Sequence, residues 1–133
     1  MKYFLAKTEP STYSIDDFAK DRETVWDGVH NYAAILFIRQ MQLGDMVFIY
    51  HSMKGKNIVG IAEVVGDPYL NKNDPRHSWA VTLKLVKKFN GPTLSDFKKN
   101  PEFVDFSLVR QSRLSVMPVA YHIAEWILSF QNL

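Results

Sequence analysis

Cysteine is absent from the 133 residues, which excludes disulfides and thiolate-bound metals and fits a reducing, cytoplasmic setting. Long apolar runs are missing as well. The opening MKYFLAKTEP turns polar after six residues, too short for the apolar region of a signal peptide, and no run approaches a membrane span. A strong excess of one charge is also lacking: 16 Lys and Arg against 14 Asp and Glu leave a net +2. That is too little for wrapping duplex nucleic acid through many phosphates, although a local basic patch remains open.

Signatures of bond-breaking chemistry are missing too. Neither G-x-x-x-x-G-K nor G-x-G-x-x-G occurs, which disfavours nucleotide hydrolysis and dinucleotide binding, and there is no G-x-S-x-G elbow. H-E-x-x-H is absent, and His30, His51, His77 and His122 are scattered over different elements, so no metal site is expected. His51 and Ser52 are neighbours in a strand and point to opposite faces, which prevents a nucleophile and base pair. No cofactor is implied.

What is present is a soluble, aromatic-rich composition, 47% hydrophobic and 14% Phe, Trp and Tyr. A chain of this length buries roughly two thirds of its unfolded surface as one domain spanning residues 1–133. Tyr3–Ala6 reads as a buried strand ending at Lys7-Thr8-Glu9-Pro10, and Ser14 with Asp17 forms a capping box for a helix ending near Asp21. Asp27-Gly28 predicts a tight reversal beside Trp26, with Asn31 capping a helix over 32–41 that is apolar around its circumference. Met46–Tyr50 and Ile58–Val65 read as central strands joined by a turn at Lys54–Asn57, and Gly60 and Ala62 leave room on one face for another backbone, a helix or a ligand.

The polar stretch Gly66–Ser78 reads as a lid or a plain loop. Trp79–Phe89 reads as a strand, Thr93–Lys99 as a capped helix, Ser112–Val119 as an alternating strand and Tyr121–Phe130 as an amphipathic helix with Trp126 in the core. Non-local strands interrupted by short helices predict an α+β fold, a mixed sheet curled into a β-barrel with helices over its ends. Hydrogen-bonding side chains at strand ends, namely Lys7, Thr8, Glu9, Asn31, His51, Ser52, Arg113 and Ser115, lie near Trp26 and Trp79. Taken alone, Trp26 reads first as a core anchor. In this company it reads as part of a recognition surface.

Six motifs in register resemble the EVE domain: Lys7-Thr8-Glu9-Pro10 with Tyr13-Ser14, Trp26-Asp27-Gly28-Val29-x-Asn31-Tyr32, Gly44-Asp45, Tyr50-His51-Ser52, Gly60–Val64 and Ser112–Val119. The resemblance spans nearly the whole chain. It implies a PUA-like barrel, related to PUA, YTH and ASCH modules, without catalytic activity. It also implies a pocket for a methylated or hydroxymethylated cytosine-like base flipped out of DNA or RNA. Carried over position by position, the pocket residues are Lys7, Thr8, Glu9, Trp26, Val29, Asn31, Tyr32, His51, Ser52, Trp79, Arg113 and Ser115.

The chain departs from the family at His30, where many relatives carry Arg, and at Ala33–Phe37, where relatives carry a polar run. The loss of two cationic contacts implies weaker phosphate binding, or a free modified nucleoside as ligand. The apolar helix 32–41 equally fits a protein-interaction module or a homodimer contact. A third reading is a nucleoside-modifying enzyme with Glu9 or Glu63 as general base.

Overall fold

The computed structural model describes residues 1–132. In chain order the elements are β1 (Tyr3–Thr8), α1 (Ile15–Asp21), β2 (Glu23–Val29), α2 (Tyr32–Gln40), β3 (Met46–His51), β4 (Ile58–Val64) and β5 (Tyr69–Leu70). There follow β6 (Trp79–Lys88), α3 (Leu94–Lys99), a 3-10 turn Pro101–Phe103, α4 (Ser107–Arg110), β7 (Val116–Val119), α5 (Tyr121–Ser129) and a last 3-10 turn Phe130–Asn132. No helix among the described residues is long and apolar enough to cross a membrane.

The strands form one mixed sheet in the order β2-β6-β4-β3-β1-β7, with β5 added beside β6. β1 and β3 run parallel and every other pair is antiparallel. Register shifts in β2/β6, β3/β4 and β4/β6 sharpen the local bend, so the sheet curls into the expected barrel-like form. The end strands β2 and β7 do not pair, which leaves a half-barrel. α2 lies across that gap, packed on β7 and β6.

Local chemistry sets the helices as expected. Ser14 Oγ accepts from Asp17 N and the Asp17 carboxylate accepts from Ser14 N, closing the capping box of α1. Thr93 and Asp96 do the same for α3, and Asn31 Oδ1 accepts from Ala34 N at the start of α2. The all-round apolar character of α2 resolves into Ala34 and Ile38 facing the core and Tyr32, 76% exposed, facing out with Leu36. Trp126 packs in a second aromatic cluster, within 5.1 Å of the Phe97, Phe103 and Phe130 ring centroids.

Two expectations need correction. Trp26-Asp27-Gly28 is not a reversal: Glu23–Val29 is a strand, and Gly28, at φ +72°, serves the irregularity in its pairing with β6. The terminal strand is shorter than the alternation of 112–119 implied. Ser112 and Arg113 sit in a turn and only Val116–Val119 pairs with β1, although Lys7 N still donates to Ser115 O at 2.8 Å. The room left by Gly60 is filled, as expected, by a helix and a backbone: a Cβ there would lie 2.9 Å from Ile15 Cδ1 of α1 and 2.9 Å from Lys87 O of β6.

Candidate functional site

The β1 strand end, the loop after it and β2 enclose a cavity of about 540 Å³. Lys7, Thr8 and Glu9 come from the end of β1, Thr12 and Tyr13 from the loop before α1, Thr24–Val29 from β2, His30 from the link to α2, and Ser115 from the approach to β7. This volume falls in the range of small-molecule sites, about 300–1,000 Å³.

Its inner wall is aromatic. Trp26 is 8% exposed and meets Tyr13 edge-on at 6.3 Å and Phe18 at 6.2 Å, so the indole is a core residue with one border on open space. Tyr13 is held from two sides: its carbonyl accepts from Thr8 Oγ1 at 2.7 Å and its hydroxyl donates to Asp21 Oδ2 at 2.8 Å. Desolvation, first, raises the pKa of that phenol, keeping it a neutral donor.

The mouth is polar. Lys7 Nζ donates to Ser112 O at 3.0 Å and makes no ion pair among the described residues, and burial lowers its pKa. A half-buried ammonium short of acceptors is suited to donate to a ligand. At the opposite lip His30 Nε2 lies 2.7 Å from Asp74 Oδ2, which also accepts from Ser78 Oγ at 2.6 Å, while Asp74 Oδ1 accepts from Arg76 N. These contacts, led by the Ser78 hydroxyl, hold the Asp74 carboxyl well below the usual carboxylate range. The segment read as a lid or a loop is thereby tied to the cavity wall, and β5 inside it pairs with β6.

Of the twelve residues expected at the pocket, Lys7, Thr8, Glu9, Trp26, Val29 and Ser115 are gathered here. Asn31 and Arg113 line a separate hollow of about 330 Å³, together with Ser112 and Leu114. Tyr32 stands out on α2. His51 Nε2 accepts from Ile15 N at 3.1 Å, which places it behind α1, and Ser52 N donates to Thr8 O at 3.0 Å. Trp79 is on β6, and the Arg39 guanidinium covers its ring at 4.7 Å.

Sequence reasoning missed Thr12, Tyr13, Thr24, Val25, Asp27, Gly28 and His30 as cavity residues. The signal available was the β-branched and aromatic run Thr24-Val25-Trp26, which favours a strand, together with the Tyr13-Ser14 pair already quoted as a motif. Among the described residues no group of three or more His, Asp and Glu is placed to hold a metal ion.

Comparison with known proteins places these features in context. The model of the EVE domain matches residues 2–130. Thymocyte nuclear protein 1 of Rattus norvegicus is 30% identical over 168 aligned positions, covering 98% of this chain and 74% of its own. Among solved structures, Rpa0253 of Rhodopseudomonas palustris superposes with a TM-score of 0.90 at 35% identity, covering 99% of this chain and 94% of that one. Human THYN1 in complex with DNA containing 5-methylcytosine superposes with a TM-score of 0.89 at 25% identity, covering 100% and 99%.

Proposed function

The chain belongs to the EVE domain family, and from that premise we propose that it is a non-catalytic nucleic-acid-binding module. In this reading a methylated or hydroxymethylated cytosine-like base, extruded from its strand, enters the cavity beside Trp26. The observation that carries the reading is the cavity itself, with an indole and a phenol at its wall and an ammonium, a carboxylate and hydroxyls at its mouth. The DNA bound by THYN1 supports the ligand class.

Extruding a base costs a few kcal/mol and stacking on an aromatic side chain returns about 1–3 kcal/mol. Selectivity therefore rests on the base edge, read by Lys7, Thr8, Glu9 and Ser115 together with Thr12 and Thr24, and on the fit of the modification. One methyl group buried at about 0.8 kcal/mol gives roughly fourfold preference over the unmodified base.

Fluorescence anisotropy with oligonucleotides of DNA and RNA, carrying cytosine, 5-methylcytosine or 5-hydroxymethylcytosine, tests this. A modified base is expected to bind at least several-fold tighter. Thr12→Trp, at an exposed loop position on the cavity mouth, is expected to remove that preference while leaving the unfolding temperature unchanged. Equal affinity for all three bases, or indifference to Thr12→Trp, refutes the reading. Exposed Tyr32 and Leu36 on α2 favour self-association as a second reading, and concentration-dependent light scattering decides it.

A further inference from the structure

We propose that Lys54 and Lys56 of the β3–β4 hairpin, with Lys98 of α3, form a separate anion site that holds the phosphate backbone of the nucleic acid whose base enters the Trp26 cavity. The inference rests on the reading above for its ligand and adds where the strand runs.

The three lysines surround one cavity of about 640 Å³, with Ser95 beside them. None of them takes part in an ion pair among the described residues. The acid nearest in sequence, Asp96, has its carboxylate engaged at the helix start, accepting from Thr93 N at 2.9 Å. A neighbouring hollow shares Gly55 and Thr93 and adds Lys87, which extends the basic surface along β6. Lys88, by contrast, is bonded to Asp16. In a protein of net charge +2 this concentration of unneutralised cations is a local feature, the kind that a polyanion selects.

The hairpin is also held in place. Lys54, Gly55 and Lys56 are all left-handed, at φ +47°, +86° and +41°, a conformation that side-chain-bearing residues seldom adopt. It persists because Lys56 O accepts from Leu94 N at 2.8 Å and Asn57 O accepts from His51 N at 3.0 Å. The loop is thus clamped between β3 and α3 with two ammonium groups set at its tip.

The chain links the two sites across adjacent strands. The parallel β1/β3 pairing sets Thr8, in the cavity wall, opposite His51, and Ser52 N then donates to Thr8 O. Lys54 follows Ser52 by two residues, a chain reach of at most about 7 Å. The lysine-bearing turn therefore lies near the cavity wall, within reach of a strand whose base occupies the first cavity. Lysine acts here as a point charge toward phosphate, and contributes affinity without sequence preference.

The test is a salt titration of oligonucleotide binding by the wild type and by a triple variant, Lys54→Asn, Lys56→Asn and Lys98→Gln. Asparagine tolerates the left-handed backbone, so the fold is retained, and equal unfolding temperatures verify it. Each phosphate contact contributes about 0.7–0.9 to the slope of log K against log salt. The variant is expected to lose about 2–3 from that slope, with its affinity for a free modified nucleoside unchanged. Selective binding with an unaltered slope overturns this inference alone. Unselective binding with a reduced slope overturns only the base-reading function, and no salt-dependent oligonucleotide binding overturns both. Loss of polyglutamate binding with nucleic-acid binding intact also overturns the phosphate assignment, in favour of an acidic protein partner.

Discussion

Replacing Trp26 by alanine separates the structural from the recognition role of the indole. The ring is 8% exposed and packed against Tyr13 and Phe18, so its removal opens a core void as well as the cavity wall. Truncations of this kind cost about 3–5 kcal/mol, against a total stability of about 5–15 kcal/mol for a small domain. Unfolding entropy of about 2.1 cal/mol/K per residue, over 133 residues, makes each kcal/mol worth about 3.6 °C. Trp26→Ala is therefore expected to melt about 11–18 °C below the wild type in a calorimetric scan. Trp26→Phe, which keeps a ring against Phe18, is expected to lose less than half of that while still weakening base selectivity. A Trp26→Ala protein that melts within about 3 °C of the wild type refutes the argument, because it means the indole is not packed as a core residue.

Two other perturbations follow from the same packing. His51 Nε2 must stay unprotonated to accept from Ile15 N, and burial, only partly offset by Asp16, lowers its pKa from 6.5. The unfolded chain thus takes up the proton first, and stability present above pH 6.5 declines as pH falls through the lowered folded value. His51→Gln is expected to flatten the fall in unfolding temperature between about pH 7.5 and 5; parallel profiles for the two proteins contradict the assignment. Gly60→Ala forces a methyl to 2.9 Å from the Lys87 carbonyl oxygen and the Ile15 side chain, at about 1–3 kcal/mol. Urea unfolding with an unchanged midpoint argues against that close approach.

The elements governed by local chemistry were legible in the sequence. Ser14 with Asp17, Asn31, and Thr93 with Asp96 specify their helices through hydrogen bonds to residues three positions away, and those bonds are present. Met46–Tyr50 and Ile58–Val64 carry enough continuous apolar character to be strands in any context. The misread segments depend on partners distant in the chain. β2 exists because Glu23–Trp26 lies against Val81–Lys84 of β6, and the Asp27-Gly28 pair, which alone favours a turn, bends within that pairing instead.

The site divides in the same way. Lys7, Thr8 and Glu9 were legible as cavity-lining residues because a strand that stops at Glu9-Pro10 exposes its last side chains. Trp79 was expected there through the EVE resemblance, and only the fold reveals that Arg39 covers its ring. His30 gained its place at the cavity lip through Asp74, 44 positions away, a separation that no local pattern encodes.

The placement of β1 between β3 and β7 bears on how the sheet closes. Tyr3–Thr8 faces Met46–His51 on one side and, from the far end of the domain, Val116–Val119 on the other. That strand stays without its second neighbour until Val116–Val119 has been synthesised. Completion of the sheet is thus expected to wait for β7, and closing so large a loop favours slow maturation over stepwise assembly.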